Sequence, residues 1–405
     1  MPIHSKLQNK WISTLIIFFI TSFIESFTMS HVFAFLPSYL QTFHLSHLSV
    51  WIGVLNALTF IVGLPMVPYW GVWADKYGAK SIIIRSAIVE ALVFALLSWG
   101  QHFYLTCLAM ALVGFQLGNT GIMLSTIRSL APPDKTGRAI SIFGAASPIG
   151  MAMGPMIGGF ILGTLHWSFL HLYLLDSGLS VVSACLLLFS SSERRVSRTT
   201  QTVWQSIQAA FSSRLVWIVF SLYFCFMTAR QLMTPYLPLF VHQLYTPFHS
   251  EEVSIGVILG GAALIGAVVS AFIGELGDRY KFENILFVMG SIVIISLIFL
   301  SFTKTWGWFT VELMVFYAGF NGTVAMIFAL LTTQLTGQTR TTALNLIYVP
   351  LYIGGIIGPI IGSTISSYGF RVQTLVAAFG CVAGCLIWLM SLKNKESRES
   401  VHPEK

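Results

Sequence analysis

This sequence has little charge. Of its 405 residues only 9% are Asp, Glu, Lys or Arg, against 55% hydrophobic, and the mean hydropathy is +0.79. A soluble domain carries about 25% charged residues, so a globule coated by water is excluded and lipid is the solvent that suits the chain. Cysteine is scarcer still, at five residues. Cys107, Cys185, Cys225, Cys381 and Cys385 all lie inside apolar runs and none is spaced with histidine as a metal ligand, so they read as small packed hydrophobes. Alternating apolar and polar residues are missing too, which excludes the strands of a membrane barrel. No small-residue cleavage site follows the first apolar run cleanly, so that run reads as a retained membrane helix, not a removable signal.

Long apolar stretches are what the chain has instead. A helix needs about 20 mainly apolar residues to cross a hydrocarbon layer of ~30 Å. Twelve stretches qualify: 11–40, 50–71, 81–100, 103–127, 138–163, 168–190, 215–241, 253–275, 284–303, 306–331, 341–365 and 371–391. One long polar connection, Ser190 to Arg214, divides them six and six. Landmarks recur across that division: Asp75 and Asp278 at an offset of 203, Pro37 and Pro238 at 201, Gly114 and Gly319 at 205, Gly154 and Gly358 at 204. Two copies of one unit of about two hundred residues follow. The expected layout is an N-terminal six-helix bundle over 1–190, a central loop over 191–214, a C-terminal six-helix bundle over 215–392 and a tail over 393–405.

The net charge of +7 invites a nucleic-acid reading, but its distribution argues against one. With the N-terminus in the cytoplasm, 19 of the 22 Lys and Arg residues, Arg85 among them, fall on the cytoplasmic side. Lys304 and Arg371 fall outside, and Arg230 falls within a span. Such asymmetry is the signature of membrane topology. The expectation is a multi-pass plasma-membrane protein with both termini cytoplasmic, a monomer whose partners are the bilayer and small molecules.

The repeated landmarks carry a family resemblance. Gly71-x-x-Ala-Asp75-Lys76-x-Gly78-x-Lys80, echoed at Gly274-Glu275-Leu276-Gly277-Asp278-Arg279, resembles the signature loop between the second and third helices of the major facilitator superfamily. Gly150-x-x-x-Gly154-Pro155-x-x-Gly158-Gly159 resembles the antiporter motif of its twelve-helix drug/proton branch, and Gly354-x-x-x-Gly358-Pro359-x-x-Gly362 echoes it. The resemblance implies an all-α integral membrane fold of twelve helices in two pseudo-twofold-related bundles. It also implies an acidic loop residue that docks on the eleventh helix and latches the cytoplasmic side. One departure stands out: the fourth run, Leu108 to Gly121, holds none of the arginine that the drug branch usually carries there, so its proton-relay role is not carried over.

In the fifth run, Gly144, Gly150, Gly154 and Gly158 form a small-residue stripe suited to close helix contact, with Pro155 as a bending point. Polar residues within spans are costly in lipid and point to a cavity or a partner. Thr14, Thr21, Glu25 and Thr28 share one face of the first helix; Tyr223, Met227, Arg230 and Thr234 share one of the seventh. Glu25 reads as the main titrating or cation-binding group, with Arg230 as its partner or an anion anchor. Asn56 with Thr59, Gln116 with Asn119, Tyr317 with Asn321, and Asn345, Tyr348 and Tyr352 read as further cavity lining. Phe19, Phe23 and Phe27 add an aromatic stripe. Glu90 and Asp176 have no evident partner in the sequence. Histidines cluster at span ends, at His44, His47, His102, His166, His171, His242 and His249, and read as interfacial.

No phosphate-binding GxxxxGK[ST] loop occurs, so an ion or solute gradient is the expected energy source, and no metal or cofactor is expected. The resulting reading is a secondary active transporter. It exports small amphipathic or drug-like compounds by alternating access, with protons or another ion as coupling partner. A sugar, metabolite or lipid permease of the same fold is the nearest alternative. A membrane-embedded enzyme lacks a nucleophile, base or metal cluster, and a non-transporting sensor is a further alternative.

Overall fold

The structure is a computed structural model. It describes every residue except 1, 100, 101, 117, 192–210, 212, 245, 278, 336–342, 344, 345 and 402–405. The side chains of 2–9, 67, 68, 71, 72, 75 and 392–401 also lie outside the description. Of the residues singled out above, Asp278 and Asn345 therefore lie outside the described residues, as does the Asp75 side chain.

Continuous apolar runs leave each backbone N–H and C=O to be satisfied within its own segment, and in lipid that dictates helices. All the regular structure among the described residues is helical. In chain order the α-helices are α1 (Pro2–Gln41), α2 (Leu48–Tyr77), α3 (Ala79–Ser98), α4 (Phe103–Gln116), α5 (Asn119–Leu130), α6 (Thr136–Gly163) and α7 (Phe169–Leu187). There follow α8 (Arg214–Met233), α9 (Leu237–Val241), α10 (Glu251–Gly277), α11 (Phe282–Leu300), α12 (Trp306–Gln334), α13 (Tyr348–Ile365) and α14 (Phe370–Val401). Among the described residues, twelve stretches are long and apolar enough to cross a membrane; α4 with α5 make one span, and α8 with α9 another.

The chain forms two compact units, one of residues 1–198 with 241–264, the other of 199–240 with 265–405. Inside the first, α1 packs along α6, α3 along α7 and α4, and α1 on α7. Inside the second, α8 packs along α13, α11 along α14 and α12, and α8 on α14. The same four pairings thus occur in each copy of the repeat.

Glycine spacing explains the α1–α6 and α8–α13 seams. A side chain at Gly150 would meet Phe23 O at 2.5 Å and Phe27 N at 2.9 Å; one at Gly154 would meet Ser30, and one at Gly158 the His31 and Phe35 rings. Gly354, Gly358 and Gly362 press in the same way on Thr228, Leu232 and Tyr236 of the second unit. Gly144, which the sequence groups with the stripe, faces open space, so the contact begins one turn later.

One expectation about the charged segment at 71–80 changes. It is not a loop: α2 continues through Gly71 to Tyr77, and α3 starts at Ala79. The reversal is made at Gly78, whose φ of 92° belongs to the region that only glycine adopts without strain. Gly71 is a helical position, not a turn. Lys80, at the start of α3, donates from Nζ to Leu188 O at 2.5 Å and Ser190 O at 3.1 Å, satisfying carbonyls just past the end of α7. Lys76 and Arg279 are exposed.

Candidate functional site

The site in the first unit is built around a broken helix. The fourth span is interrupted between α4 and α5 at Gly118, which has φ 103°. A side chain there would run into the indole of Trp70. Ending a helix inside a span strands its last carbonyls, which need donors from a neighbour. The third span supplies them: Arg85 donates from Nη1 to Phe115 O at 2.8 Å, and Ser86 from Oγ to Gln116 O at 2.5 Å. The Arg85 guanidinium lies 3.5 Å from the Trp70 ring centroid and 5.3 Å from that of Phe115, a stacked cation–π arrangement.

The residues flanking the break turn toward α1. Gln116 donates from Nε2 to Glu25 Oε1 at 2.6 Å, and Asn119 from Nδ2 to Glu25 Oε2 at 2.7 Å. Both oxygens of the half-buried Glu25 carboxylate are thereby held by amides. Arg85 acts on that carboxylate electrostatically. Glu25, Gln116 and Asn119, named separately from the sequence, thus meet at one point. By position alone Arg85 reads as a cytoplasmic charge. It sits inside α3, packed on aromatics, and it brings to the broken fourth span the arginine which that span itself lacks.

Farther along α1 the same face carries Thr28 and His31, each three residues on. Thr28 donates to Glu90 Oε1 at 2.7 Å. His31 Nδ1 lies 2.9 Å from Asp176 Oδ2, and Nε2 lies 3.0 Å from Gly154 O. A carbonyl only accepts, so Nε2 carries a hydrogen and one further proton closes the Nδ1–carboxylate contact. His31 and Asp176 are both fully buried, and Glu90 is 2% exposed. Both acids therefore have partners, contrary to the sequence reading, and His31 departs from the interfacial pattern of the other histidines. The spacing 25, 28, 31 on one face was the signal available in the sequence.

In the second unit Arg230 lies 5.7 Å from the Tyr317 ring centroid and 5.0 Å from that of Phe320. Its Nε and the Thr234 hydroxyl, one turn on, are buried without a hydrogen-bond partner among the described residues. Asn321 abuts Gly266 of α10. Tyr352 is buried, while Tyr348 is 43% exposed. Asn56 donates to Ile52 O of its own helix, and Thr59 donates to Met110 O, tying α2 to α4.

A sequence model of the Major Facilitator Superfamily matches residues 18–337. The chain is 26% identical over 365 residues to a multidrug resistance protein MdtG of Klebsiella pneumoniae, covering 89% of this chain and 88% of that one. It is 24% identical over 356 residues to the uncharacterized MFS-type transporter YuxJ of Bacillus subtilis, covering 86% and 90%. Among solved structures, a bacterial homologue of the human lysosomal transporter Spinster superposes with a TM-score of 0.77 at 14% identity, over 95% of this chain and 96% of that one. The nucleoside transporter NupG superposes with 0.74 at 15% identity, over 93% and 99%. Twelve spans, the repeated pairings and these likenesses converge: the chain is a membrane transporter, not an enzyme, and belongs to the major facilitator superfamily.

Proposed function

We propose that the chain exports small amphipathic or drug-like compounds across the plasma membrane in exchange for protons, by alternating access of its two units. The observation that carries this reading is the Glu25 carboxylate, set within a span and gripped by Gln116 and Asn119 at a break in the fourth span. Broken membrane helices place polar termini where solutes and coupling ions bind, and an ionisable side chain in a span is retained for function far more readily than for stability. Arg85 supplies the positive charge at this point. The multidrug name of the relatives supports the substrate class. Cytoplasmic termini, a monomeric state and the division 1–190, 191–214, 215–392 and 393–405 complete the proposal. With Arg85 inside a span, 18 of 22 basic residues still support that orientation.

The test is transport by purified protein in proteoliposomes under an imposed pH gradient, across a panel of lipophilic cations and neutral amphiphiles. Efflux by wild type and its loss in Glu25→Gln are expected; gradient-driven flux unaltered by Glu25→Gln would exclude the proposed coupling. The unpartnered Arg230 Nε and Thr234 hydroxyl favour a second reading, a permease for a solute rich in hydrogen-bond acceptors. Flux of sugars or nucleosides with none of the dyes would select it.

A further inference from the structure

We propose that Glu25 and Glu90 form one coupled site that holds a single exchangeable proton across a small polar cavity inside the first unit. The inference rests on the proton-coupled reading above and deepens it.

Glu25 and Glu90 both line a cavity of about 10 Å³, with Thr21, Asn119 and Ser183 as its other polar residues. That is about the space taken by one water molecule as a probe sphere. The Ser183 hydroxyl on this wall is 2% exposed and has no hydrogen-bond partner among the described residues. Buried hydroxyls in native proteins are almost always satisfied, and a bridging water in this cavity would give Ser183 its partner.

The charges nearby are few enough to count. Glu25 and Glu90 act on one another, and Arg85 acts on Glu25. Asp176, which also faces Glu90, is paired with His31 at 2.9 Å. Two carboxylates against one guanidinium leave one negative charge in excess, and an interior of low polarity requires it to be balanced. A proton suits the geometry better than a metal ion. Both Glu25 oxygens already accept amide N–H groups, whose hydrogens would repel a cation at that carboxylate.

Direction follows from exposure. Glu25 is half-buried, whereas Glu90 is enclosed, with its Oε1 held by Thr28. In the transfer the Glu25 O–H bond breaks as its proton passes to the bridging water, and one of that water's own protons forms the O–H bond on Glu90. The water is unchanged and no other reactant is needed.

The test uses full-length protein in proteoliposomes and follows the carboxylic C=O stretch by infrared spectroscopy as pH is varied. Wild type is expected to titrate in two linked steps. In Glu25→Gln and in Glu90→Gln the remaining acid is expected to titrate once, moved by about one pH unit or more. Ser183→Ala, which keeps both acids, is expected to change the separation of the two steps. Glutamine at 90 preserves an acceptor for Thr28; should that variant misfold, Ser183→Ala still decides. An unmoved Glu25 titration in Glu90→Gln, or an unchanged separation in Ser183→Ala, overturns the shared site. So does competition between sodium and the proton when choline salts are exchanged for sodium salts. Efflux of ethidium driven by a pH gradient, in the same vesicles, separates the two proposals. No efflux by wild type defeats the export reading, whereas efflux with independent acids defeats only the pairing.

Discussion

At Gly118 and at the His31–Asp176 pair a single substitution has a definite cost. Alanine at Gly118 meets both a positive φ and the face of Trp70, and strain of this kind costs about 1–3 kcal/mol. Gly118→Ala is therefore expected to lower the thermal unfolding temperature in detergent and to disturb the grip of Gln116 and Asn119 on Glu25. Removing one partner of a buried ion pair leaves the other uncompensated, at about 3–5 kcal/mol. Asp176→Leu or His31→Leu alone should be severely destabilising, while the double variant recovers much of the loss. A double-mutant cycle on unfolding temperature measures it, and additive losses would mean that the two residues do not act as a pair. At this scale the sequence discloses some residues and hides others. Glu25, Gln116 and Asn119 stood out because polar groups are rare in apolar runs. Arg85 was hidden, since a basic residue six positions into a span is indistinguishable from a topogenic charge until its aromatic neighbours are known.

Among elements, the seams along α6 and α13 make the sharpest forecast. Valine at Gly150 or Gly358 would strike the backbone of the facing helix, and neither backbone can give way. Gly150→Val and Gly358→Val should reduce the yield of monodisperse protein on size exclusion, while Gly144→Val, which meets nothing within 4 Å, should leave it unchanged. The stripe itself was legible from spacing, but its start was not. Whether a glycine touches a partner depends on where two helices diverge, and that is set by packing far along both. The corner at Gly78 shows the same limit. A charged, glycine-bounded stretch reads as a loop, yet α2 runs straight through Gly71 because helix is the cheapest way to satisfy backbone groups at a membrane boundary.

For the molecule as a whole, twelve spans and a duplicated plan were plain from hydropathy and repeated landmarks, because length and apolarity alone decide whether a segment crosses lipid. Their pairing is equally repeated. Topology can be checked by reporter fusions at residue 405 and beside Lys304: the expected outcome is a cytoplasmic signal from the first and an external one from the second. A different consequence follows from the lone arginine set against two glutamates. If the proposed site is balanced by one proton, it trades one positive charge per cycle. Exchange against a monovalent cation is then electrically silent, whereas exchange against an uncharged compound carries current. Setting the membrane voltage with potassium and valinomycin should alter turnover for the uncharged cargo and leave the cationic one unaffected, so a voltmeter would report what kind of cargo the protein is carrying.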